Sequence, residues 1–217
     1  MLKRAGYNCY LGGNIGHPLL AEVEDMKSTD IAVVELSSFQ LMRMSCAPMN
    51  AAITNISPNH MDWHTTEDEY AGAKYNIVGK QTKRLVVNAD CKKTFDFGMK
   101  VLDDGEREVF FFSSRNNDYS KVIGGSRDNA RLFYVDNRAI CASNGNDSEI
   151  LLSLDAIMIP GMHNVENYMT AIALTYGYVD VSVYEKVARG FFGVEHRLEL
   201  VRTLSGVRYY NSSIDSS

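Results

Sequence analysis

The sequence predicts an α/β fold, a mostly parallel sheet flanked by helices with a small antiparallel excursion. Three observations carry that expectation. Short apolar runs recur along the chain, each bounded by polar or glycine-bearing segments, as strands buried on both faces require. Segments of helical periodicity separate several of them, the alternation that builds a parallel sheet. Between residues 130 and 143 two strand-like runs flank an Asp-Asn pair, a hairpin signal.

The elements follow in order. Met1 to Tyr7 reads as the tail of a helix ending at Gly6 in a left-handed cap. Ile31 to Leu36 (IAVVEL), Asn50 to Ile56 (NAAITNI), Leu85 to Ala89 (LVVNA) and Val109 to Phe112 (VFFF) are expected as buried parallel strands. A helix is expected over Glu67 to Gly79, capped by Thr65 or Thr66, with acidic residues in its first turn. Asn116 to Asn129 is polar and glycine-bearing. Arg131 to Val135 and Ala139 to Ala142 then form the hairpin around Asp136-Asn137. Helices are expected over Asn164 to Tyr176 and Val183 to Phe192. Two strands, Leu198 to Leu204 and Val207 to Tyr210, turn at Ser205-Gly206. The domain reading is 1–193 for a first domain and 194–217 for the start of a second. Both ends read as cut: the chain opens on a helix end and stops in a polar loop straight after a strand.

Composition excludes some classes of function. Formal net charge is −5 with no basic block, which argues against nucleic acid as a partner. No apolar run approaches the roughly 20 residues needed to cross a bilayer, and no apolar segment follows the basic start as in a secretory signal. Cys9, Cys46, Cys91 and Cys141 are far apart and form no CxxC pair, which fits reduced thiols and a cytoplasmic location.

Five places could carry chemistry. Gly12-Gly13-Asn14-Ile15-Gly16 is a glycine-rich turn that either lets a ligand approach backbone N–H groups or is a plain turn. Glu35 ends a hydrophobic strand and is followed by Ser37 and Ser38. Ligands of open α/β sheets gather at such strand ends, and a carboxylate beside hydroxyls suits Mg²⁺; the alternative is a surface glutamate. His60, Asp62 and His64 alternate just past a strand end, so they read either as metal ligands or as loop histidines with a capping aspartate. Lys74 sits among Ala71, Gly72 and Ala73, midway along its expected helix, where small neighbours leave room around a long amine. Its default reading is a solvated charge. Gly161 to Asn167 (GMHNVEN) opens a helix with amide side chains, a binding edge or an ordinary N-cap.

In order and spacing, these segments resemble the Mur ligase family. Glu35 to Leu41 (ELSSFQL) resembles the strand-end motif of its D-glutamate-adding member. Thr54 to Asp62 (TNISPNHMD), Tyr70 to Lys74 (YAGAK), GMHNVEN, His196 to Glu199 (HRLE) and Tyr210 to Ser217 (YNSSIDSS) are similar to further family motifs. The likeness spans the whole chain. It implies a central ATPase domain of the phosphate-loop type over 1–193, then the first strands of a Rossmann-like C-terminal domain. The implied activity is an ATP-dependent amide ligase that phosphorylates the carboxylate of UDP-N-acetylmuramoyl-L-alanine and joins it to D-glutamate, in peptidoglycan precursor synthesis. It also implies ATP, two Mg²⁺ ions, a carbamate formed on Lys74 by CO₂, and a monomer.

Carried over by position, Glu35, His60 and carbamylated Lys74 would hold the ions. Asn14 and Ser37 would contact the muramoyl substrate, Asn164 and Asn167 the adenine, and Arg197 the ATP phosphates. Asp62 and His64 have no firm role, and the resemblance argues against a zinc site. The family's glycine-rich phosphate loop is expected upstream of Met1 and its D-glutamate-selecting part beyond Ser217, so this chain alone is expected to be inactive. Ser212 stands where the family has aspartate, and Ile214 where some members have lysine. Alternative readings are another Mur ligase or a folylpolyglutamate synthetase-like ligase, a metal-dependent hydrolase using His60, Asp62 and His64, and a noncatalytic nucleotide- or partner-binding domain.

Overall fold

The computed structural model describes residues 1–16, 18–57, 66–194 and 199–211. Its main body is one six-stranded sheet in the order β3-β4-β5-β6-β7-β8, built from Asn50–Ile53, Arg84–Asn88, Glu108–Ser113, Ala130–Asp136, Ala139–Ser143 and Ser148–Ser153. The first four strands run parallel and the last two join antiparallel. This is the expected mixed sheet with its antiparallel excursion.

Strand alternation divides the core into two layers. Val86, Phe110 and Phe112 face one side, where α5 (Met162–Thr175) lays Val165, Met169 and Ile172 on them and α6 (Val181–Gly190) adds Tyr184 and Ala188. Leu85, Val87, Val109 and Phe111 face the other side, packed by Val101 and Leu102 of α3 (Lys92–Asp103). Because both faces are covered, LVVN and VFFF read as continuous apolar runs. The sequence reading places no helix over α3 and no strand over β8; both exist.

Arg84 ties the far end of α5 to the sheet. Its guanidinium pairs with Glu108 at 2.8 Å, donates to the carbonyls of Tyr176 at 2.7 Å and Ala173 at 3.4 Å, and lies 4.3 Å from the centre of the Phe110 ring. A cation at a helix C-terminus meets the negative end of its dipole.

β1 (Cys9–Gly13) and β2 (Ile31–Glu35) form a separate parallel pair, in register from Cys9↔Ile31 to Gly13↔Glu35. Here the structure corrects the sequence reading. IAVVE is a parallel strand, but not a buried one among the described residues: Val33 is 43% exposed and Val34 41%. An apolar run reports that a strand can be buried, while its neighbours decide whether it is. The glycine-rich segment is also partly strand, since Gly12 and Gly13 close β1.

Smaller corrections follow from local geometry. The β6–β7 turn falls on Asn137 (φ 43°) and Arg138 (φ 60°), one residue later than expected, with Asp136 already paired to Ala139. Helix α2 (Glu67–Tyr75) stops before Gly79, so Lys74 lies in its last turn and not midway along it. Thr66 caps it by accepting from the Glu69 N–H at 3.1 Å. Gly6 ends a 3₁₀ turn, Leu2–Ala5, in the expected left-handed conformation. β9 (Glu199–Leu204) and β10 (Val207–Asn211) form the expected hairpin.

Candidate functional site

The parallel strands β3, β4 and β5 end on one edge of the sheet, the edge where ligands of such folds collect. Three groups of candidate residues can be placed, and each is positioned differently.

The first group is Asn14 with Glu35. The strand register brings the end of β1 beside the end of β2, and the Asn14 N–H donates to the Glu35 carbonyl at 2.8 Å. The Asn14 Nδ2 donates to Glu35 Oε1 at 3.3 Å. Gly13 permits this approach. Its φ is +102°, and a Cβ there would come 2.2 Å from the Glu35 carbonyl oxygen. The glycine-rich turn is thus a close-packing device that sets Asn14 against Glu35. Ser37 has a different local task. It caps the short helix α1 (Ser38–Leu41), with its N–H donating to Gln40 Oε1 at 2.8 Å and its Oγ accepting from the Gln40 N–H at 3.3 Å.

Lys74 is the second group. The amine lies 5.3 Å from the centre of the Tyr70 ring and makes no ion pair among the described residues. The Asn76 side chain, just past this helix, donates to the Leu41 carbonyl at 3.3 Å and so joins α2 to α1. No Cβ-blocking atom lies within 4 Å of Gly72 among the described residues, but at i−2 it faces away from the amine.

The third group is the opening turn of α5. Gly161 begins it at φ +97°, with the His163 ring folded back so that a Cβ would meet it at 2.5 Å. Asn164 Nδ2 donates to the Pro160 carbonyl at 2.6 Å, and Asn167 Nδ2 lies 3.5 Å from Asn164 Oδ1. This leaves the Asn167 carbonyl oxygen and one N–H facing outward on an exposed residue. His60, Asp62, His64 and Arg197 lie outside the described residues. Among the described residues no group of three or more His, Cys, Asp or Glu side chains is placed to hold a metal.

A network absent from the sequence reading joins the strand ends to α5. Asp90, after β4, accepts from Ser113 Oγ at 2.6 Å and from the Ser114 N–H at 2.8 Å, while Ser114 Oγ donates to Glu166 at 2.6 Å. Cys91, next to Asp90, precedes α3, and its Sγ lies 3.7 Å from the Ile56 carbonyl. Burial raises its thiol, but hydrogen bonds with Thr94 and with the Ile56 backbone outweigh this and hold it below the ordinary thiol range. Polar residues straight after two apolar strands were the available signal for this cluster.

Comparison with known proteins decides the family. The Mur ligase middle domain matches residues 7–175. The chain belongs to the Mur ligase family. Over its full length it is 44% identical to the UDP-N-acetylmuramoylalanine–D-glutamate ligase of Ruminiclostridium cellulolyticum and 45% identical to that of Acetivibrio thermocellus. The corresponding ligase of Clostridium botulinum strain Alaska E43 is 42% identical. The chain spans 44% of the length of each of these relatives. Two solved structures share the fold. MurF ligase from Thermotoga maritima in complex with ADP gives a TM-score of 0.59 at 17% identity, over 97% of this chain and 48% of that one. UDP-N-acetylmuramate–alanine ligase MurC from the same organism gives 0.53 at 16% identity, over 96% and 50%. The chain therefore has the expected family and fold. Among the described residues no helix is long and apolar enough to cross a membrane.

Proposed function

We propose that the full-length protein is an ATP-dependent ligase that joins D-glutamate to UDP-N-acetylmuramoyl-L-alanine. The observation that carries this reading is whole-chain identity of 42–45% to relatives bearing that name. In this reading ATP phosphorylates the alanyl carboxylate and releases ADP. The amine of D-glutamate then attacks the acyl phosphate, which expels phosphate and leaves the amide.

The residues fit such chemistry in part. Glu35 offers a carboxylate at a strand end with no competing ion pair among the described residues, a hard oxygen donor of the kind Mg²⁺ takes with water completing its shell. Bound cations would offset charge on the transferring phosphoryl group. We assign Glu35, His60 and Lys74 to holding them, Lys74 as its carbamate. The absence of an acidic partner among the described residues supports a lysine free to react with CO₂. Asn14 is assigned to the muramoyl substrate, with Ser37 a lesser contact because its hydroxyl already caps α1. Asn167 presents an acceptor and a donor side by side, the pair an adenine edge matches, with Asn164 holding it and Arg197 reaching the phosphates. In this reading β9 and β10 begin the next domain, near Val194.

The test is phosphate release by the full-length protein with ATP, UDP-N-acetylmuramoyl-L-alanine and one amino acid at a time. Release confined to D-glutamate, lost in Lys74→Ala and partly restored by short carboxylates, is the expected result. Release with L-lysine, meso-diaminopimelate or L-alanine instead would overturn the D-glutamate assignment. No release with any amino acid would overturn the ligase reading.

A further inference from the structure

Glu166 lies between the two amides assigned to adenine, yet its own side chain does not serve that face. It reaches across to the end of β5, where Ser114 Oγ donates to Glu166 Oε1 at 2.6 Å. That distance is characteristic of a hydroxyl–carboxylate bond, about twice as strong as a neutral one. A hydroxyl has one proton, so with it committed to Glu166 the 3.3 Å approach of Ser114 Oγ to Asp90 is secondary. Asp90 is instead satisfied by the Ser113 hydroxyl and the Ser114 N–H, at 2.6 and 2.8 Å. Asp90 is itself fixed, because its N–H donates to Asn88 Oδ1 at 2.8 Å. Ser113 is fully buried. The anchor offered to Glu166 is therefore a rigid strand end.

On its polar side the first turn of α5 has few other ties among the described residues. Gly161 caps it without a side-chain hydrogen bond, Met162 is 50% exposed, and among the described residues the Asn164 side chain bonds within the same stretch, to Pro160 and Asn167. Val165 is the first residue of α5 that packs into the core. Val165 fixes the inner side of the turn, and the charge-assisted bond from Ser114 to Glu166 holds its polar side to the sheet edge.

We propose that Glu166 is a positioning residue for the nucleotide: latched by Ser114, it holds Asn164 and Asn167 where an adenine ring is read. The proposal rests on the ATP-dependent reading above. It concerns a carboxylate that touches no ligand itself, and it makes Ser114 part of the same device.

The test uses the full-length protein and measures ATP dissociation constants by calorimetry without the other substrates, alongside KM for ATP, kcat and melting temperature. Glu166→Ala and Ser114→Ala are each expected to weaken ATP binding about 5- to 10-fold, the loss of one charge-assisted bond. KM for ATP rises in parallel while kcat falls far less. The double variant is expected to match the weaker single, since both remove one bond. Glu166→Gln, which keeps the carbonyl acceptor, restores most of the affinity. A lowered melting temperature with unchanged ATP affinity in both alanine variants would overturn the proposal, as would additive losses in the double variant. Failure of the unaltered protein to bind ATP would instead overturn the nucleotide reading beneath it.

Discussion

Gly13→Ala is the substitution that most directly separates the geometry of the site from the stability of the fold. Gly13 adopts φ +102°, and a Cβ would stand 2.2 Å from the Glu35 carbonyl oxygen and 2.7 Å from a Val34 methyl. A non-glycine residue held in such a region costs about 1–3 kcal/mol. Forced overpacking costs about 1–3 kcal/mol, and loss of the bond from Asn14 N–H to the Glu35 carbonyl a further 0.5–1.5 or so. The total, roughly 2.5–7.5 kcal/mol, exceeds what an isolated pair of strands can absorb, since two-stranded pairings are marginal in water. The pair is expected to give way locally and carry Glu35 with it. In the full-length protein, ligation should fall about 100-fold or more, because about 2.7 kcal/mol, near the low end of that range, corresponds to two decades in rate. Amide hydrogen exchange should quicken over 9–14 and 31–35 while 85–88 and 109–112 stay protected. Gly72→Ala is the control. It meets nothing within 4 Å and replaces a poor helix former with a good one, so activity and exchange should hold. Gly13→Ala with activity within threefold of the parent and a protected β1–β2 pair would refute the argument that this close approach sets the position of Glu35.

Arg84→Met removes the donors to the Tyr176 and Ala173 carbonyls and the cation over Phe110 while keeping an apolar stem. It should cost about 2–4 kcal/mol and lower the melting temperature by about 5–12 °C. Glu108→Gln, whose side chain is 50% exposed, should change little, and equal effects of the two would refute the helix-end role of Arg84. Tyr176 makes a stability-versus-pH prediction. Burial and its hydrogen bond with Glu149 push its hydroxyl up to about 12 from an ordinary 10. The folded state therefore favours the protonated form, and this contribution is full below pH 10 and fades as pH rises toward 12. Tyr119, Tyr134, Tyr168 and Tyr184 shift the same way by burial, so denaturant midpoints should fall across that window, and Tyr176→Phe should flatten part of the slope.

How much of this was legible in the sequence depends on the range of the interaction. LVVN and VFFF read correctly because strands covered on both faces need apolar residues at every position. IAVVE carries the same pattern and was misread as buried, since nothing in five residues encodes which neighbours a strand will have. The helix α3 gives a weaker signal in sequence because its mid-helix Gly98, a poor helix former, stands where a larger apolar residue would mark the buried face, although Lys92, Asp96 and Lys100 line the opposite, exposed side. The hairpin was found but placed one residue early. The sequence offers Asp136 and Asn137 as turn formers, while the register puts Arg138 in the left-handed region. The placement of Glu35 at a strand end and of the α5 amides at a helix start was legible because these are local features. The Asp90–Ser114–Glu166 network was not. Its members come from three segments, 24 and 52 residues apart, and only the sheet brings them together.

The two ends of the site consequently rest on different foundations. Leu85, Val86 and Val87 are wholly buried beneath α3 and α5, so the residues at the ends of β4 and β5, and the α5 turn latched to them, inherit the rigidity of the core. Asn14 and Glu35 sit instead on a pair of strands whose apolar side chains, Leu11, Val33 and Val34, face outward among the described residues. Regions with few buried contacts open at lower free energy than the core. Perturbations of the first end should therefore appear as changes in nucleotide affinity with order preserved, and perturbations of the second as local loss of order with the sheet intact. A substitution at Gly13 and one at Glu166 should then be close to additive in free energy, because no hydrogen bond or ion pair among the described residues joins the two groups. Coupling of more than about 1 kcal/mol between them in a double-mutant cycle would show that the bound substrates, and not the protein's own contacts, link the two ends.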